Sequence, residues 1–160
     1  MVSLNAGCGN DFWGDVRMDV DPQAKARTHL MDICGMNFPD GSFEETKCIS
    51  VLEHIPDWKR AIYELCRVTS GWLIIEVPVN SNLLLTDLFR ILIPTPGNIR
   101  LWKNRKERAA ETFHQFNPEE ICQEIKQHGF KVRWKKVFQI YHSYPSRCYR
   151  FRCFRIQKGQ

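Results

Sequence analysis

Apolar positions in this chain fall in short runs that end on glycine, proline or acidic residues, a punctuation that predicts strands as often as helices. Residues 2–6 form the first run and lead directly into Gly7, Cys8, Gly9 and Asn10, the pattern of a buried strand stopping at a tight turn. Residues 16–20 form a second run, closed by acidic residues and Pro22, and residues 29–33 a weaker third, ending near Asp32. After Pro39, Asp40 and Gly41, residues 47–52 are apolar enough for a strand covered on both faces. Pro56 and Asp57 open a helix with Ile62, Leu65, Cys66 and, less regularly, Val68 at helical spacing, and Ser70-Gly71 is its expected stop. Residues 72–77 are the strongest strand, closed by Pro78, and residues 81–93 look helical. Asn117, Pro118, Glu119 and Glu120 supply a cap, a first-turn proline and first-turn acids for another helix, which His128-Gly129 stops. Residues 130–140 and 147–156 are strands joined through Ser143, Tyr144, Pro145 and Ser146, predicting an antiparallel pair.

Strands alternating with helices and then a closing strand pair predict an α/β, doubly wound, mostly parallel sheet. A single domain over residues 1–160 is expected, with a cofactor-binding half at 1–79, an acceptor or lid region at 80–116 and a C-terminal helix and hairpin at 117–160.

Composition narrows the class. With 160 residues, 43% of them hydrophobic, and only 9 Gly and 8 Pro, the chain is neither disordered nor collagen-like. The greasiest stretch, residues 83–93, is interrupted by Thr86, Asp87 and Arg90, so no membrane span is expected. No signal-peptide pattern stands at residues 1–5, and the seven cysteines include no C-x-x-C pair. Reduced, structural thiols in a cytoplasmic protein without a metal site are the expectation.

The net charge of +5 hides an asymmetry: residues 1–97 carry 8 Lys/Arg against 13 Asp/Glu, and residues 98–160 carry 15 against 5. The switch falls at the turn signal Pro94, Thr95, Pro96, Gly97.

Ligands of open parallel sheets bind beyond the carboxyl ends of the strands, where the strand order reverses. Gly7-Cys8-Gly9 ends the first strand, and glycine there lets backbone approach a ligand; a ligand-free tight turn is the competing reading. Phe12 stands where the dinucleotide fingerprint needs its third glycine, and the interval from Gly9 to Asp19 holds one helical turn at most. A cofactor without phosphates suits that geometry better. Asp19, with Asp21 behind it, has the chemistry to accept from both hydroxyls of a ribose, and Asp32 from an adenine amino group. Each alone reads as a solvated loop acid; at three successive strand tips they read as a site.

These segments carry a resemblance: Leu4-Asn5-Ala6-Gly7-Cys8-Gly9, Met18-Asp19-Val20-Asp21-Pro22, Asp32-Ile33, residues 38–43, Val51-Leu52-Glu53-His54-Ile55 and residues 72–78. In that order they resemble class I S-adenosylmethionine-dependent methyltransferases of the small "type 11" branch, and residues 116–120 with Gly129-Phe130 are similar to it as well. The resemblance implies a Rossmann-like methyltransferase fold, methyltransferase activity and S-adenosyl-L-methionine as cofactor. It implies that Asn5, Ala6, Gly7, Cys8 and Gly9 pass under the methionine part, that Asp19 binds the ribose hydroxyls, with Val20 also counted among the cofactor-binding residues, and that Asp32 and Ile33 hold the adenine. Ser50 and Val51, with the residues up to His54, are implied to line the pocket near the transferred methyl, and Glu53 is expected to be structural. Asn5 replaces the more usual Asp, and the first helix is shortened or absent.

Methyl transfer needs alignment rather than a metal or a covalent intermediate, and a base only if the acceptor must lose a proton. His54 is the first candidate for that base, ahead of His114 and His142; its competing role is to orient a loop. The stripe Leu83, Leu84, Leu85, Leu88, Phe89, Leu92 and Ile93 and the basic run from Arg100 to Arg108 suit a lid, a membrane-resting element or simply a packed helix. Arg147, Arg150, Arg152 and Arg155 interleave with Tyr149, Phe151 and Phe154, a pattern open to RNA but equally to a strand with one wet face. The expected acceptor is a small molecule or a glycan/lipid-type compound, anionic or lipid-linked. The alternatives are a non-catalytic methyltransferase-like binding module and an RNA methyltransferase using its basic C-terminal face.

Overall fold

The structure is a computed structural model that describes residues 2–78, 114, 116–141 and 144–156. Its strands are β1 (Ser3–Ala6), β2 (Val16–Asp19), β3 (His29–Leu30), β4 (Phe43–Ile49), β5 (Thr69–Pro78), β6 (Phe130–Tyr141) and β7 (Tyr144–Arg155). Helix α1 (Trp58–Val68) joins β4 to β5, and α2 (Pro118–Gln127) precedes β6. Short 3-10 turns occupy Ile33–Gly35 and Leu52–His54.

The strands form one sheet in the order β3-β2-β1-β4-β5-β7-β6. β3, β2, β1, β4 and β5 run parallel, and β7 is antiparallel to both β5 and β6. The order reverses at β1, which pairs with β2 on one side and β4 on the other. The expected α/β, mostly parallel fold with a C-terminal antiparallel pair is therefore present, and no helix joins β1 to β2.

Capping follows the sequence. The Asp57 carboxylate accepts from the Arg60 amide at the start of α1, and the Asn117 side chain accepts from the Glu119 amide at the start of α2. Ser70-Gly71 does not stop α1 as expected: the helix ends at Val68 and β5 begins at once with Thr69. Gly71 serves a different purpose, because a Cβ there would run into the Glu44 carbonyl of β4. β4 starts at Phe43, before its apolar stretch, since Phe43 pairs with Thr69. β7 begins at Tyr144, so Tyr144, Pro145 and Ser146, expected in the joining turn, lie in the strand. The helix expected at 81–93, the basic run at 100–108 and His142 lie outside the described residues.

One hydrophobic core unites Leu4, Met18, Cys48, Leu73, Ile75 and Phe151 of the sheet with Ile62 and Leu65 of α1 and Ile121 and Ile125 of α2. These sheet residues share one parity, so both helices pack on the same face. Arg67 fastens α1 to the loop before β4: its guanidinium donates to buried Glu64 at 2.7 Å, to Asp40 at 2.8 Å and to the carbonyls of Met36 and Phe38. All seven cysteines are free thiols, and burial pushes Cys48, Cys66, Cys148 and Cys153 up.

Candidate functional site

The carboxyl ends of β1, β2, β3 and β4 meet at the strand-order reversal. Beyond β1, Gly7 and Gly9 adopt left-handed φ values of 76° and 50°, which glycine reaches without strain. A Cβ on Gly7 would also overlap the Val51 side chain, so β1 turns directly against the segment that follows β4. The amides of Gly7 and Cys8 both donate to the Met18 carbonyl, locking this turn to β2.

Asp19 ends β2. Its Oδ2 accepts from the Gly9 amide at 2.7 Å and its Oδ1 from the Asp21 amide at 2.9 Å, which fixes the carboxylate over the glycine turn while Asp19 stays part-exposed. Val20 is 70% exposed beside it, and Leu30, paired with Asp19 across β3, is 58% exposed. Two bare aliphatic side chains flanking a fixed carboxylate at strand tips make a surface suited to a flat apolar ring. Leu30 was missed in the sequence because a two-residue strand has too little pattern to reveal its exposed tip.

Asp32 is exposed and caps the turn Ile33–Gly35, its Oδ1 accepting from the Cys34 amide. Ile33 turns its side chain into the core, leaving only its backbone to meet a ligand. Ala6 and Cys8 are buried. Asn5 is buried too, and its amide donates to the carbonyl and carboxylate of Asp11, holding the irregular loop that stands in place of a first helix.

After β4, Ser50 adopts a left-handed φ of 54° while its amide donates to the Glu76 carbonyl of β5. Such strain in a residue other than glycine concentrates at functional sites. It lets the chain leave the sheet sharply, placing Val51 against Gly7 and then Leu52–His54 in a 3-10 turn. The His54 side chain is 45% exposed, with Nε2 3.8 Å from Oε1 of Glu53. Glu53 itself is buried, its Oε2 has no hydrogen-bond partner among the described residues, and burial, with a smaller push from nearby Glu76, raises its carboxyl to about 7 against the lowering effects of a backbone hydrogen bond and of His54. His114 returns to this turn: its amide donates to the Glu53 carbonyl and its Nε2 meets the Pro56 carbonyl at 2.9 Å. The structure thus brings Gly7, Gly9, Asp19, Val20, Asp32, Ser50, Val51 and His54 to one end of the sheet. Among the described residues, no group of three or more His, Cys, Asp or Glu is arranged to hold a metal.

The 3-2-1-4-5-7-6 sheet, with a glycine turn after β1 and an acidic tip on β2, is the Rossmann-like methyltransferase fold that the sequence resemblance implied. Residues 4–75 match the family model described as methyltransferase domain. Among solved structures, the chain is similar to a SAM-dependent methyltransferase from Methanosarcina mazei, with 15% identity, TM-score 0.64, and 98% of this chain and 92% of that one covered. It is also similar to magnesium protoporphyrin IX methyltransferase from Synechocystis PCC 6803, solved with bound SAH, at 16% identity and TM-score 0.62 over 98% of this chain and 74% of that one. A third similar structure is the complex of the Haloferax volcanii Trm112 methyltransferase activator with a methyltransferase, at 10% identity and TM-score 0.65 over 97% and 82%. Comparison with curated proteins gives no match.

Proposed function

We propose that this chain is an S-adenosylmethionine-dependent methyltransferase acting on a small-molecule or glycan/lipid-type acceptor that carries negative charge. The observation that carries the cofactor reading is the Asp19 carboxylate fixed over the Gly7–Gly9 turn, between exposed Val20 and Leu30. The residues fit the group: the turn is open where a side chain would block it, the carboxylate oxygens each retain acceptor capacity, and the aliphatic tips suit adenine. When bound, S-adenosylmethionine supplies an electrophilic methyl group on a sulfonium.

This chain's own residues do the rest. Asp19 accepts hydrogen bonds from ribose hydroxyls, Asp32 accepts from the adenine amino group, and the backbone of residues 5–9 borders the methionine part. Ser50 and Val51 border the reacting end. His54, part-exposed on the 3-10 turn, takes a proton from an acceptor hydroxyl or amine, and buried Glu53 orients its ring and stabilises the resulting imidazolium. Alignment supplies most of the rate, as expected for an in-line displacement.

The acceptor reading draws on the excess of 15 Lys/Arg over 5 Asp/Glu in residues 98–160, which favours anionic compounds. A cytoplasmic location is part of the same proposal; no helix among the described residues is long and apolar enough to cross a membrane. Incubating the chain and methyl-labelled S-adenosylmethionine with fractionated cell extract tests it. Label in an anionic small-molecule or lipid fraction is expected. Label confined to protein or RNA overturns the acceptor reading, and no transfer to any fraction overturns the activity.

A further inference from the structure

The two helices leave one face of the sheet without a helix among the described residues, and the strand registers fix what stands on it. Across β4, β5, β7 and β6 the successive rows are Glu45-Trp72-Phe154-Lys131, Lys47-Ile74-Arg152-Arg133 and Ile49-Glu76-Arg150-Lys135. Six of these twelve positions are cationic and two are acidic. Glu76 is fully buried and bound by Arg150, whose Nε donates to it at 2.6 Å. Arg152, Lys131, Arg133 and Lys135 are exposed along the adjacent strands β7 and β6.

Aromatic surface lies beside that cationic track. Trp72 is 54% exposed with its ring centroid 5.4 Å from that of Phe154, and the Lys131 ammonium sits 5.8 Å from the Phe154 ring. A depression of about 330 Å³, lined by Lys47, Ile49, Ile74, Arg150 and Arg152, adjoins the pair.

We infer that this sheet face binds single-stranded nucleic acid, with Trp72 and Phe154 as a base-stacking platform and Arg152, Lys131, Arg133 and Lys135 as phosphate contacts. Two properties select this occupant. The two rings are tilted 49° to one another and stand among cations, with Trp72 half-exposed, so a base can stack on them, whereas an apolar wedge into a bilayer would have to bury the surrounding charges. The cations follow two neighbouring strands at a same-face repeat of roughly 6.6 Å, a linear track suited to a flexible backbone of repeated charges. The structure also sorts the arginine-aromatic alternation of the sequence. Phe151 is buried on the helix-covered face, and Arg155, which donates to the carbonyls of Thr69 and Cys66, is occupied there too. Phe154, Arg150 and Arg152 remain for the open face. No residue of this surface belongs to the Asp19 site, so the inference stands or falls independently of the cofactor reading.

The test is fluorescence anisotropy of a labelled oligouridylate of about a dozen nucleotides, within the usual site size, titrated with the full chain at several salt concentrations. Affinity is expected to fall with salt at a log–log slope near −3, about four phosphates at roughly 0.7 each. Trp72→Ala weakens binding roughly 5- to 150-fold, the range for losing a stacked base. Arg133→Glu/Arg152→Glu weakens it at least about tenfold and flattens the slope. Trp134→Ala is the control: Trp134 is 38% exposed on β6, next to Arg133 in sequence, but pairs with Phe151 on the opposite face, and its loss leaves binding unchanged. Circular dichroism and urea unfolding of each variant establish that the fold persists. Absence of binding at low salt, binding indifferent to Trp72 and the arginine pair, equal affinity for a duplex, or capture of phosphatidylserine vesicles with the same variant sensitivity each overturns the inference.

Discussion

The Asp19 carboxylate at the tip of β2 accepts the backbone N–H of Gly9 at 2.7 Å, tying the acid to the glycine turn after β1. Parallel pairing of β1 with β2, register Ala6 to Met18, brings the two loops together without an intervening helix. Asp19→Ala is therefore expected to weaken S-adenosylmethionine at least about tenfold, the scale of one charge-assisted hydrogen bond. Far-ultraviolet circular dichroism should be unchanged, because Asp19 is part-exposed and outside the core. Unchanged affinity would remove Asp19 from the cofactor site.

Gly7 is constrained twice, by its left-handed φ of 76° and by Val51. Gly7→Ala should destabilise the fold by about 1–3 kcal/mol and abolish cofactor binding. Adding Val51→Ala should recover part of the stability, because the overlap is relieved while the backbone strain remains. Additive losses in urea unfolding would show that the two residues do not press on each other.

Glu53 gives the protein a signature in pH. Its folded-state carboxyl, pushed up to about 7, binds a proton that the unfolded chain releases near 4.5. The stability from burying the neutral acid is fully present below about pH 4.5 and is lost as pH rises through about 7. Glu53→Gln should thus gain on the parent protein at pH 8, by at most about 3 kcal/mol, with the difference vanishing toward pH 5. Urea midpoints at both values check it. If transfer to an acceptor is measurable, the same variant should flatten the rise of rate between pH 6 and 8, since about 7 is where Glu53 ionises beside His54.

Arg67 supports Glu64 inside the packed side of α1. Arg67→Met should cost about 3–5 kcal/mol, because it leaves a buried carboxylate with fewer partners and frees the carbonyls of Met36 and Phe38. Converting Glu64→Gln as well should recover part of that loss in chemical denaturation. No recovery would mean the arginine acts through packing alone.

Particular residues show how far the sequence could be read. Gly7, Gly9, Asp19 and Asp32 announced themselves because they sit where apolar runs stop, and runs stop at strand tips. The Asn117 cap and His128-Gly129 stop of α2 were equally legible, since capping is a local interaction. Gly71 misled because a glycine after a helical stretch looks the same whether it caps a helix or lies against a neighbouring carbonyl. The positive φ of Ser50 and the burial of Glu53 depend on β4, β5 and the returning chain at His114, so no local pattern encodes them. Which arginines of β7 face solvent likewise required the register with β5.

The switch point of this sheet is the proposed S-adenosylmethionine site. Isothermal titration of the folded chain with S-adenosylmethionine and S-adenosylhomocysteine tests that most directly. Saturable one-site binding of both, weakened by Asp19→Ala, is the expected result; no binding by a folded sample up to millimolar ligand would contradict it.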